Sequence, residues 1–433
     1  MNSSSETAVS PANSPAAQPA MTLRRYSILV CWGMVVTNLG QFGSLGEFPI
    51  RFLLKDVLLV SPTAMATWLT IAILPWSFKP LAALLVDGVP IRRTRHRYYL
   101  LLGGLLGGLF WLAMGFVPKD YHVLLITGCC LNVMMMLTST VVGGLLVEGG
   151  QAYGATGRLS SIRMIVANVI LLFVGPLGGF LATKWFGYTA MIGGVLFFSM
   201  VPVTLLLLRE KPVAQGQYGE KPLSGILHQI KVVFGCRNIW ICSGLLFLVH
   251  LAPGFGTPLF YYKSEVLKLS PQFIGNLTVV AGVMGLVGAL VYPLLCRKFH
   301  LRALLYLSIV STVLSSLLYL GYVGPKSAIV IESLGQLGLG YTLAQLPLFD
   351  LAARGTPKGS EALGYSMMLA LGNLSTSFSD VLGSYLFDHF QLGFKNLVWI
   401  NAGTTALILL VIPFLPAYLV DRKEGEVSDE IKS

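Results

Sequence analysis

The sequence has very few charged residues for its length. Lys, Arg, Asp and Glu make up 11% of the 433 residues, whereas 55% are hydrophobic. A soluble domain carries about 25% charged residues, because its surface faces water. The deficit excludes a water-facing surface over most of the chain and predicts an integral membrane protein. The apolar runs extend to about twenty residues instead of alternating over ten, which favours helical spans over a β-barrel.

The sequence also lacks the motifs of ATP-driven pumps and of hydrolytic enzymes. It contains no G-x-x-x-x-G-K-S/T phosphate-binding loop, no H-E-x-x-H and no G-x-S-x-G. Its six cysteines have no spacing typical of a disulfide framework or a metal site. We therefore expect no enzyme activity, no cofactor and no metal centre.

Apolar stretches long enough to cross a membrane recur along the chain. A span needs about 20 mostly apolar residues. We identify twelve, at residues 26–48, 63–86, 98–117, 121–147, 160–183, 186–208, 238–261, 272–295, 302–323, 326–349, 360–387 and 396–419.

Basic residues outnumber acidic ones, and their positions indicate an orientation. The chain carries 30 Lys and Arg against 19 Asp and Glu, a net charge of +11. If the N-terminus is cytoplasmic, 21 of the 30 basic residues fall in segments on the cytoplasmic side. Because basic loops stay in the cytoplasm, we expect a multi-pass protein of the cell (inner) membrane with both termini cytoplasmic. The basic excess is then an orientation signal and indicates no nucleic acid partner.

The longest break between spans divides the chain into two parts of similar length. We expect six-helix bundles over 21–208 and 235–421, with cytoplasmic tails at 1–20 and 422–433. The first tail is rich in Ser, Ala and Pro and is expected to be disordered. Apolar residues at helical spacing in the linker, 209–234, indicate either an amphipathic helix on the membrane surface or an irregular connection. Two such halves resemble the pseudo-symmetric major facilitator fold, an all-α polytopic architecture of twelve spans.

A lysine lies between two prolines inside the second predicted span. Residues 75–80 read PWSFKP, with apolar sequence on both sides. A charge inside a span costs roughly 2.5–3.5 kcal/mol on insertion scales, so such residues face a partner or a water-filled cavity. The prolines remove backbone donors and bend or break the helix. Lys79 therefore either lines a cavity together with Trp76 or forms an ion pair within the bundle.

The loop after this span combines an acid with a cluster of arginines. Asp87 ends the span, and Arg92 and Arg93 follow in VDGVPIRRTRHRYY. The loop resembles the one between helices two and three of the major facilitator superfamily, which implies a cytoplasmic gate. Pro357, in the first turn of the eleventh span, would place a helix N-terminus that attracts Asp87 in one conformation. A solvated basic loop without a gating role is the alternative.

Further polar residues lie within the predicted spans. Interhelical hydrogen bonds account for many such side chains, and the alternative is that they line a substrate cavity. In addition to Lys79 and Trp76, the candidates for substrate binding are Asn38, Gln41, Asn132, His250, Gln336, Tyr341 and Asn373.

Charged residues in or near the spans are candidates for ion pairing or coupling. Glu148 and Arg163 could pair across an inner loop, or Arg163 could face the cavity, and Asp380 lies in the eleventh span. Glu47 and Arg51, one helical turn apart, are most simply a local ion pair. A cavity with a cation and aromatic rings would suit a planar anion, and a histidine or membrane carboxylate could couple transport to protons.

Three stretches together resemble the folate–biopterin transporter family. PWSFKP, the small-residue run after it and the arginine-rich loop are similar to the family's second helix. LAPGFGTPLFYYKSEVLKLSPQFIG (251–275) resembles its seventh helix and the outer loop, and RGTPKGSEALGYSMMLALGNLSTSFSDVLGSYL (354–386) resembles its tenth-to-eleventh helix signature. Within 251–275, Pro253, Gly254 and Gly256 interrupt the helix and are candidates for a hinge.

The resemblance implies a secondary active transporter that moves a folate- or pterin-like organic anion by alternating access, as a monomeric proton symporter in the lipid bilayer. The sequence departs from the family in the predicted fourth span, where Ser139 and Gly143 stand at the positions of two aspartates, while Glu148 is retained. This departure concerns the substrate more than the fold. Two alternatives stay open: another major facilitator permease with a muropeptide-like substrate, and a non-transporting membrane assembly or pigment-delivery factor.

Overall fold

The computed structural model describes residues 21–89, 91–152, 156–210, 230–296, 298–335, 339–356, 361–421 and 423. Within these residues the chain is helical, and no strand occurs among them. The predicted N-terminal tail, residues 211–229 of the predicted linker and the predicted C-terminal tail apart from residue 423 lie outside the described residues. Residues 230–234, at the end of the predicted linker, and residue 235 are helical.

The helices follow the predicted spans along the chain. The N-terminal half (residues 21–210) contains α1 (Leu23–Leu39), α2 (Glu47–Phe52), α3 (Pro62–Ile73), α4 (Lys79–Gly88), α5 (Arg97–Phe116), α6 (Tyr121–Ala152), α7 (Thr156–Ala182) and α8 (Phe186–Leu207). The C-terminal half (residues 230–423) contains α9 (Arg237–Leu251), α10 (Gly256–Tyr261), α11 (Pro271–Cys296), α12 (Leu301–Leu318), α13 (Pro325–Leu334), α14 (Leu339–Arg354), α15 (Glu361–His389), α16 (Phe394–Leu407) and α17 (Ala417–Val420).

Among the described residues, seven helical stretches are long and apolar enough to cross a membrane. Other predicted spans are interrupted: the span at 26–48 is divided between α1 and α2, and the span at 63–86 between α3 and α4. The count of twelve spans therefore stays a prediction. The seven stretches are Arg97–Phe116, Tyr121–Leu146, Phe186–Leu207, Arg237–Val266, Pro271–Tyr292, Leu301–Gly321 and Phe394–Phe414.

The second predicted span is broken where its two prolines predict a break. α3 ends at Ile73, a 3-10 turn follows over Leu74–Phe78, and α4 begins at Lys79. Pro75 and Pro80 have no backbone N–H to donate to the preceding turn, and the tighter 3-10 hydrogen bonding connects the two helices. The lysine thus lies at the start of a new helix rather than at the centre of a continuous one.

The segment after α2 and the segment after α10 have the same backbone course. Both helices continue as a π-helical turn, over Leu53–Val57 and Tyr262–Val266, which are 209 residues apart. Each turn is followed by a residue in the left-handed region, with φ of 52° at Leu59 and 48° at Lys268. Such values are uncommon outside glycine, so their recurrence at the same offset indicates an internal repeat.

The repeat extends into the helices that follow. Ser61 accepts a hydrogen bond from the backbone N–H of Ala64 at 3.3 Å, and Ser270 accepts one from Phe273 at 3.2 Å. Each serine precedes a proline in the first turn of α3 or α11, the preferred arrangement at a helix N-terminus. The chain therefore builds one hairpin twice, once in each half, and the two copies contact each other.

Buried aromatic residues fix the turn between α1 and α2. The Phe42 ring lies 5.5 Å from Trp68 and 5.9 Å from Trp111, measured between ring centroids. The Trp111 indole N–H donates to the Gly40 carbonyl at 3.1 Å. Such ring contacts contribute about 0.5–1.5 kcal/mol beyond area burial. They hold the turn, and with it the first residue of α2, Glu47.

A buried ion pair joins the second hairpin to α13. Lys263 contacts Glu332, and both side chains are almost completely buried. The hydroxyl groups of Tyr319 and Tyr322 each donate to the Glu332 carboxylate at 3.2 Å. A buried charge is tolerated when it is paired and its remaining hydrogen bonds are satisfied. This cluster therefore fixes the outer part of the hairpin against its neighbours.

Replacing Glu332 by Gln leaves the buried Lys263 ammonium without its counter-charge. We expect a loss of about 3–5 kcal/mol in the free energy of unfolding, measured as a lower thermal unfolding midpoint in detergent. The control is Glu265→Gln, because Glu265 is 55% exposed and its pair with Lys55, at 3.8 Å, is expected to contribute about 0–1 kcal/mol. Equal midpoints for the two variants would contradict the role given to the buried pair.

Candidate functional site

A cavity of about 510 Å³ lies between the two halves of the chain. Its lining comes from the turn before α2, from α2, α3 and α6 in the N-terminal half, and from α9, α10, α12 and α14 to α16 in the C-terminal half. Most of the lining is apolar. The ionisable and amide side chains among the described lining residues are Glu47, Arg51, Asn132, His250, Tyr341, Gln345, Asp380 and Asn401.

Thr257 links Asp380, in the same half of the chain, to Arg51 of the other half at one end of this cavity. Asp380 accepts from the Thr257 backbone N–H at 2.8 Å and from the Thr257 hydroxyl at 2.6 Å. Since that hydroxyl donates to Asp380, its oxygen accepts the long contact, 3.5 Å, from the Arg51 guanidinium. The Arg51 guanidinium also lies 5.7 Å from the centroid of the Phe260 ring, within the range of a cation–π contact. The Arg51 guanidinium on α2 is thus connected to the Asp380 carboxylate on α15 through the Thr257 hydroxyl.

Side chains of α15 and α16 satisfy the backbone between α9 and α10. The Ser379 hydroxyl donates to the Ala252 carbonyl, and the Asn401 amide donates to the Pro253 carbonyl at 2.9 Å. The Gly254 N–H donates to the Ser379 carbonyl at 2.8 Å. Backbone groups freed by a helix break must find partners away from water. The three predicted hinge residues, Pro253, Gly254 and Gly256, therefore lie in or beside a break that α15 and α16 hold closed.

Two glycines allow α15 to approach this break. A Cβ atom on Gly383 would lie 1.6 Å from the Gly254 carbonyl oxygen, and one on Gly254 would lie 2.8 Å from the Ser379 hydroxyl oxygen. The first distance leaves no room for any side chain, because the obstructing atom belongs to the backbone. The close contact of α15 with the break therefore requires glycine at position 383.

Gly383→Ala is expected to prevent this contact and strongly destabilise the protein, with much less folded protein recovered from membranes. The matched control is Gly403→Ala, at an exposed helical position where a Cβ meets no atom within 4 Å. Alanine is favoured over glycine in a helix by about 0.5–1 kcal/mol, so the control should be as stable as the wild type or slightly more stable. Size-exclusion chromatography and the thermal midpoint compare them. Normal folding of Gly383→Ala would refute the tight contact.

His250 lines the cavity in a defined tautomer. Its Nδ1 lies 2.7 Å from the Leu246 carbonyl oxygen, which can only accept, so Nδ1 carries the proton. Its Nε2 lies 2.9 Å from the amide nitrogen of Gln345, which donates to it. Both ring nitrogens of His250 therefore have a partner within the protein. Tyr341, a predicted site residue, lines the same cavity and is half exposed to it.

Lys79 and Trp76 lie beside the cavity but are not among its described lining residues. The Trp76 indole N–H donates to the Asn132 amide oxygen at 2.9 Å, and Asn132 itself lines the cavity. The Lys79 ammonium donates to the Ser139 hydroxyl at 3.0 Å and lies 5.3 Å from the Trp76 ring centroid. Ser139 is a position at which the family resemblance implies an aspartate, so here a hydroxyl meets the lysine.

Three predicted amide residues are not among the described lining residues of the cavity. The Asn38 amide donates to the Met34 carbonyl at 2.8 Å, within its own helix. Gln41 is half-buried in the turn after α1, and Asn373 is exposed on α15. Gln336 and Pro357 lie outside the described residues.

Two residues of the predicted gate, Arg92 and Arg93, lie in the loop between α4 and α5. Arg92 and Arg93 form a tight turn with φ of 47° and 64°, closed by the pair of hydrogen bonds between Ile91 and Thr94. The Arg92 guanidinium lies 5.5 Å from the Tyr98 ring centroid. The side chains of Asp87 and Arg163 lie outside what the structure describes, so the predicted gating and ion-pair roles of these two residues stay predictions.

Glu148 has partners that the sequence analysis did not assign. Its carboxylate accepts from the Tyr26 hydroxyl at 2.9 Å and lies 3.6 Å from His96 Nδ1. His96 is buried at the start of α5, 2.9 Å from Glu210. The histidine therefore lies between two carboxylates, one at the end of α6 and one after α8. No local motif signals this contact, because the three segments are far apart in the sequence.

Glu210 is held by the start of α5. Its carboxylate accepts from the backbone N–H groups of His96, at 2.8 Å, and Arg97, at 3.2 Å, in addition to the contact with the His96 ring. Burial alone would raise the pKa of Glu210, but the hydrogen bonds and the charge of His96 outweigh it and hold the pKa below its usual value of 4.5. Glu210 is thus stabilised in the ionised form.

Glu210→Gln is expected to lower the stability of the protein most at neutral pH. A lowered pKa in the folded state adds stability above the unfolded pKa, and that contribution is lost as the pH falls through the folded pKa. We expect a deficit of about 1.5–3 kcal/mol near neutral pH, narrowing below pH 4.5. Thermal midpoints at several pH values measure it, with the exposed Glu265→Gln as control. A deficit independent of pH would contradict the assignment.

Arg51 and Glu47 are cavity residues that the sequence analysis treated as a local ion pair. Their charged atoms are 3.8 Å apart, and both line the cavity. The available signal was that both charges fall near an apolar span, where an ionisable residue is a functional candidate by default. The i, i+4 spacing of Glu47 and Arg51 favoured a local ion pair, so neither residue was interpreted as lining a cavity.

Comparison with known proteins agrees with the predicted family. The profile of the BT1 family matches residues 43–432. The chain is 28% identical over 396 residues to the folate-biopterin transporter of Synechocystis sp., covering 86% of this chain and 78% of the relative. It is 24% identical over 393 residues to folate transporter 2 of Plasmodium falciparum, covering 86% and 84% of the two chains. It is 23% identical to probable folate-biopterin transporter 4 of Arabidopsis thaliana, covering 88% and 92%.

Solved structures of transporters share the fold. A mutant of the nucleoside transporter NupG superposes with a TM-score of 0.72 at 13% identity, covering 90% of this chain and 99% of that one. The D-xylose-proton symporter superposes with a TM-score of 0.66 at 15% identity, covering 91% and 98%. At such identity the likeness concerns the fold alone, which is of the major facilitator type.

The curated relatives are transporters and not enzymes, in agreement with the sequence-based expectation. The resemblance read from three stretches of sequence is confirmed by a profile that spans nearly the whole chain. The chain belongs to the BT1 family, the folate–biopterin transporters, and is a membrane transporter.

Proposed function

We propose that the protein is a secondary active transporter that moves a folate- or pterin-like organic anion by alternating access, coupled to protons. The observation that carries the proposal is the cavity between the two halves, in which Arg51 and His250 face the same space as amide and aromatic side chains. Its volume falls within the roughly 300–1,000 Å³ typical of small-molecule sites. The names of the relatives refer to folate and biopterin, which supports this substrate class.

The proposed architecture is two six-helix bundles, over 21–208 and 235–421, with twelve spans in total. We propose that the protein is a monomer in the cell (inner) membrane and that both termini are cytoplasmic. The repeated hairpin, offset by 209 residues, supports two related halves. Interrupted spans are compatible with this count, because a broken helix crosses a membrane when its breaks are covered by protein.

We assign the substrate site to the central cavity. Arg51 is the cation that would meet a carboxylate, and a guanidinium binds a carboxylate through two parallel hydrogen bonds. Asn132, His250 and Tyr341 would contact the ring system. Lys79 and Trp76, which reach the cavity through Asn132, would join the site in another conformation. Four further amide residues stay candidates because they are polar side chains within predicted spans: Asn38, Gln41, Gln336 and Asn373.

Alternating access requires the halves to separate at one end while they meet at the other. In this conformation they meet through α2 and α10 and the turns after them: the Phe52 and Phe260 rings lie 5.0 Å apart, and Lys55 faces Glu265. α7 and α11 also cross at glycines, since a Cβ on Gly275 would lie 2.3 Å from the Gly175 carbonyl oxygen. We propose that these contacts open in the opposite state, while Asp87, Arg92, Arg93 and Pro357 close the other end.

Asp380 is our candidate for proton coupling. It accepts two hydrogen bonds from Thr257 and is linked through that residue to Arg51. Protonation would remove its charge and weaken these bonds, which loosens the contact between the halves and changes the surroundings of Arg51. Pro253, Gly254 and Gly256 would act as the hinge that follows this change. Glu148 and Arg163 remain proposed as an inner ion pair or coupling pair.

Uptake of labelled folate into proteoliposomes with an inward proton gradient tests the function. Arg51→Gln and Lys79→Ala are expected to reduce uptake by at least about tenfold, the effect of losing one charged hydrogen bond of roughly 1.5 kcal/mol or more. Lys395→Ala, at an exposed position, is the control and should transport normally. Uptake unaffected by Lys79→Ala removes that residue's assigned role.

The two alternative functions give different results in the same experiment. Transport of a muropeptide with no competition from folate or pterins would favour another permease. Absence of any flux together with a stoichiometric partner on purification would favour an assembly factor. The comparisons do not favour either alternative, because the relatives are named as transporters.

A further inference from the structure

The two carboxylates in the central cavity differ in their hydrogen bonding. Asp380 accepts two short hydrogen bonds from Thr257. The cations that act on Glu47 within the described residues are Arg51, at 3.8 Å, which is beyond hydrogen-bonding distance, and the more distant Lys263. The Glu47 side chain is nevertheless 41% exposed, and it faces the cavity. One carboxylate is therefore bonded to the protein, and the other faces the space that a substrate would occupy.

The surroundings of Glu47 favour donors supplied by a ligand. The cavity lining also includes Phe42, Ile50 and Phe255, which offer no side-chain donor, and the charges of Arg51, at 3.8 Å, and of the more distant Lys263 act on Glu47. Gly43 lies four residues before Glu47, and a Cβ there would meet no atom within 4 Å, so open space adjoins the turn. A carboxylate that is partly removed from water and lacks hydrogen-bond donors is costly. A ligand with two N–H groups would relieve that cost.

We propose that Glu47 binds the hydrogen-bond-donor edge of the transported ring, formed by an exocyclic amino group and the neighbouring ring N–H of a 2-amino-4-oxopyrimidine. This inference rests on the proposed function and specifies which part of the substrate Glu47 recognises. The two oxygens of a carboxylate accept two parallel N–H donors, as they do from a guanidinium. The Phe42 ring, fixed between Trp68 and Trp111, would flank the ligand ring.

The assignment separates the roles of two neighbouring charges on α2. Glu47 and Arg51 are one turn apart and face the same cavity, so the helix presents an acceptor and a donor side by side. A ligand that has an amino-pyrimidine edge complements Glu47. A ligand with the carboxylate alone complements only Arg51.

The test compares two probes that differ at this edge, 6-carboxypterin and 6-carboxylumazine, in which a carbonyl replaces the amino group. Binding to the purified full chain is measured by isothermal titration calorimetry. We expect the wild type to prefer 6-carboxypterin by at least about tenfold, since the lumazine carbonyl would oppose the carboxylate and one charged hydrogen bond would be lost. Equal affinities in the wild type would overturn the inference without involving any variant.

Glu47→Gln should abolish or reverse this preference, because a glutamine amide offers one acceptor and one donor and can pair with the lumazine edge. Glu47→Asp keeps the carboxylate on a shorter side chain and should retain the order of preference with weaker binding. The control is Asp56→Asn, at a carboxylate 54% exposed and paired with Lys55 outside the cavity lining, with both affinities unchanged.

The outcomes distinguish the inference from the function on which it rests. An undiminished preference in Glu47→Gln, or an equal loss of affinity for both probes, overturns the role of Glu47 while leaving folate transport intact. Failure of the wild type to bind folate and both probes overturns the proposed function and this inference with it.

Discussion

A helix that breaks inside an apolar region leaves backbone N–H and C=O groups that lipid cannot satisfy, and this constraint governs the C-terminal half. The break between α9 and α10 is satisfied by Ser379, Asp380 and Asn401. Ser379 and Asp380 belong to α15, which is 29 residues long but is not among the apolar spans of the described residues, and these two polar side chains contribute to that. Polarity on α15 thus satisfies the interruption beside it, and Asp380 lines the cavity next to Thr257.

The two hairpins share a backbone but differ in chemistry. Each has an early proline, a π-helical turn, a left-handed residue and a Ser-Pro start to the next helix. With the 209-residue offset, Glu47 corresponds to Gly256, and Arg51 corresponds to Phe260. At these two positions the charges belong to the first copy and the uncharged residues to the second, and Arg51 lies over Phe260 where the copies meet. A repeated scaffold with unequal side chains therefore lines the cavity asymmetrically.

Much of the fold could be predicted, because long apolar runs constrain helix positions closely. The predicted span 98–117 is the helix Arg97–Phe116, and the prolines around Lys79 predicted the turn at Leu74–Phe78. The site was harder to predict, because a membrane helix is apolar toward both lipid and protein and its pattern does not reveal which face lines a cavity. His250, Asn132, Tyr341 and Asp380, which line the cavity, were candidates because they are polar residues in predicted spans, whereas Arg51 was interpreted as the local partner of Glu47.

The Thr257 hydroxyl connects a charge at the helix break to a charge in the cavity lining. Asp380 caps the break at Thr257, and the same Thr257 hydroxyl receives Arg51 from the other half. The helix break and a cation of the cavity lining therefore share one hydrogen-bonded residue. The Glu47 carboxylate is not hydrogen-bonded to this group, since its distance from Arg51 is 3.8 Å. The geometry thus separates a carboxylate that is hydrogen-bonded at the helix break from one that faces the cavity, and the Arg51 side chain lies beside both.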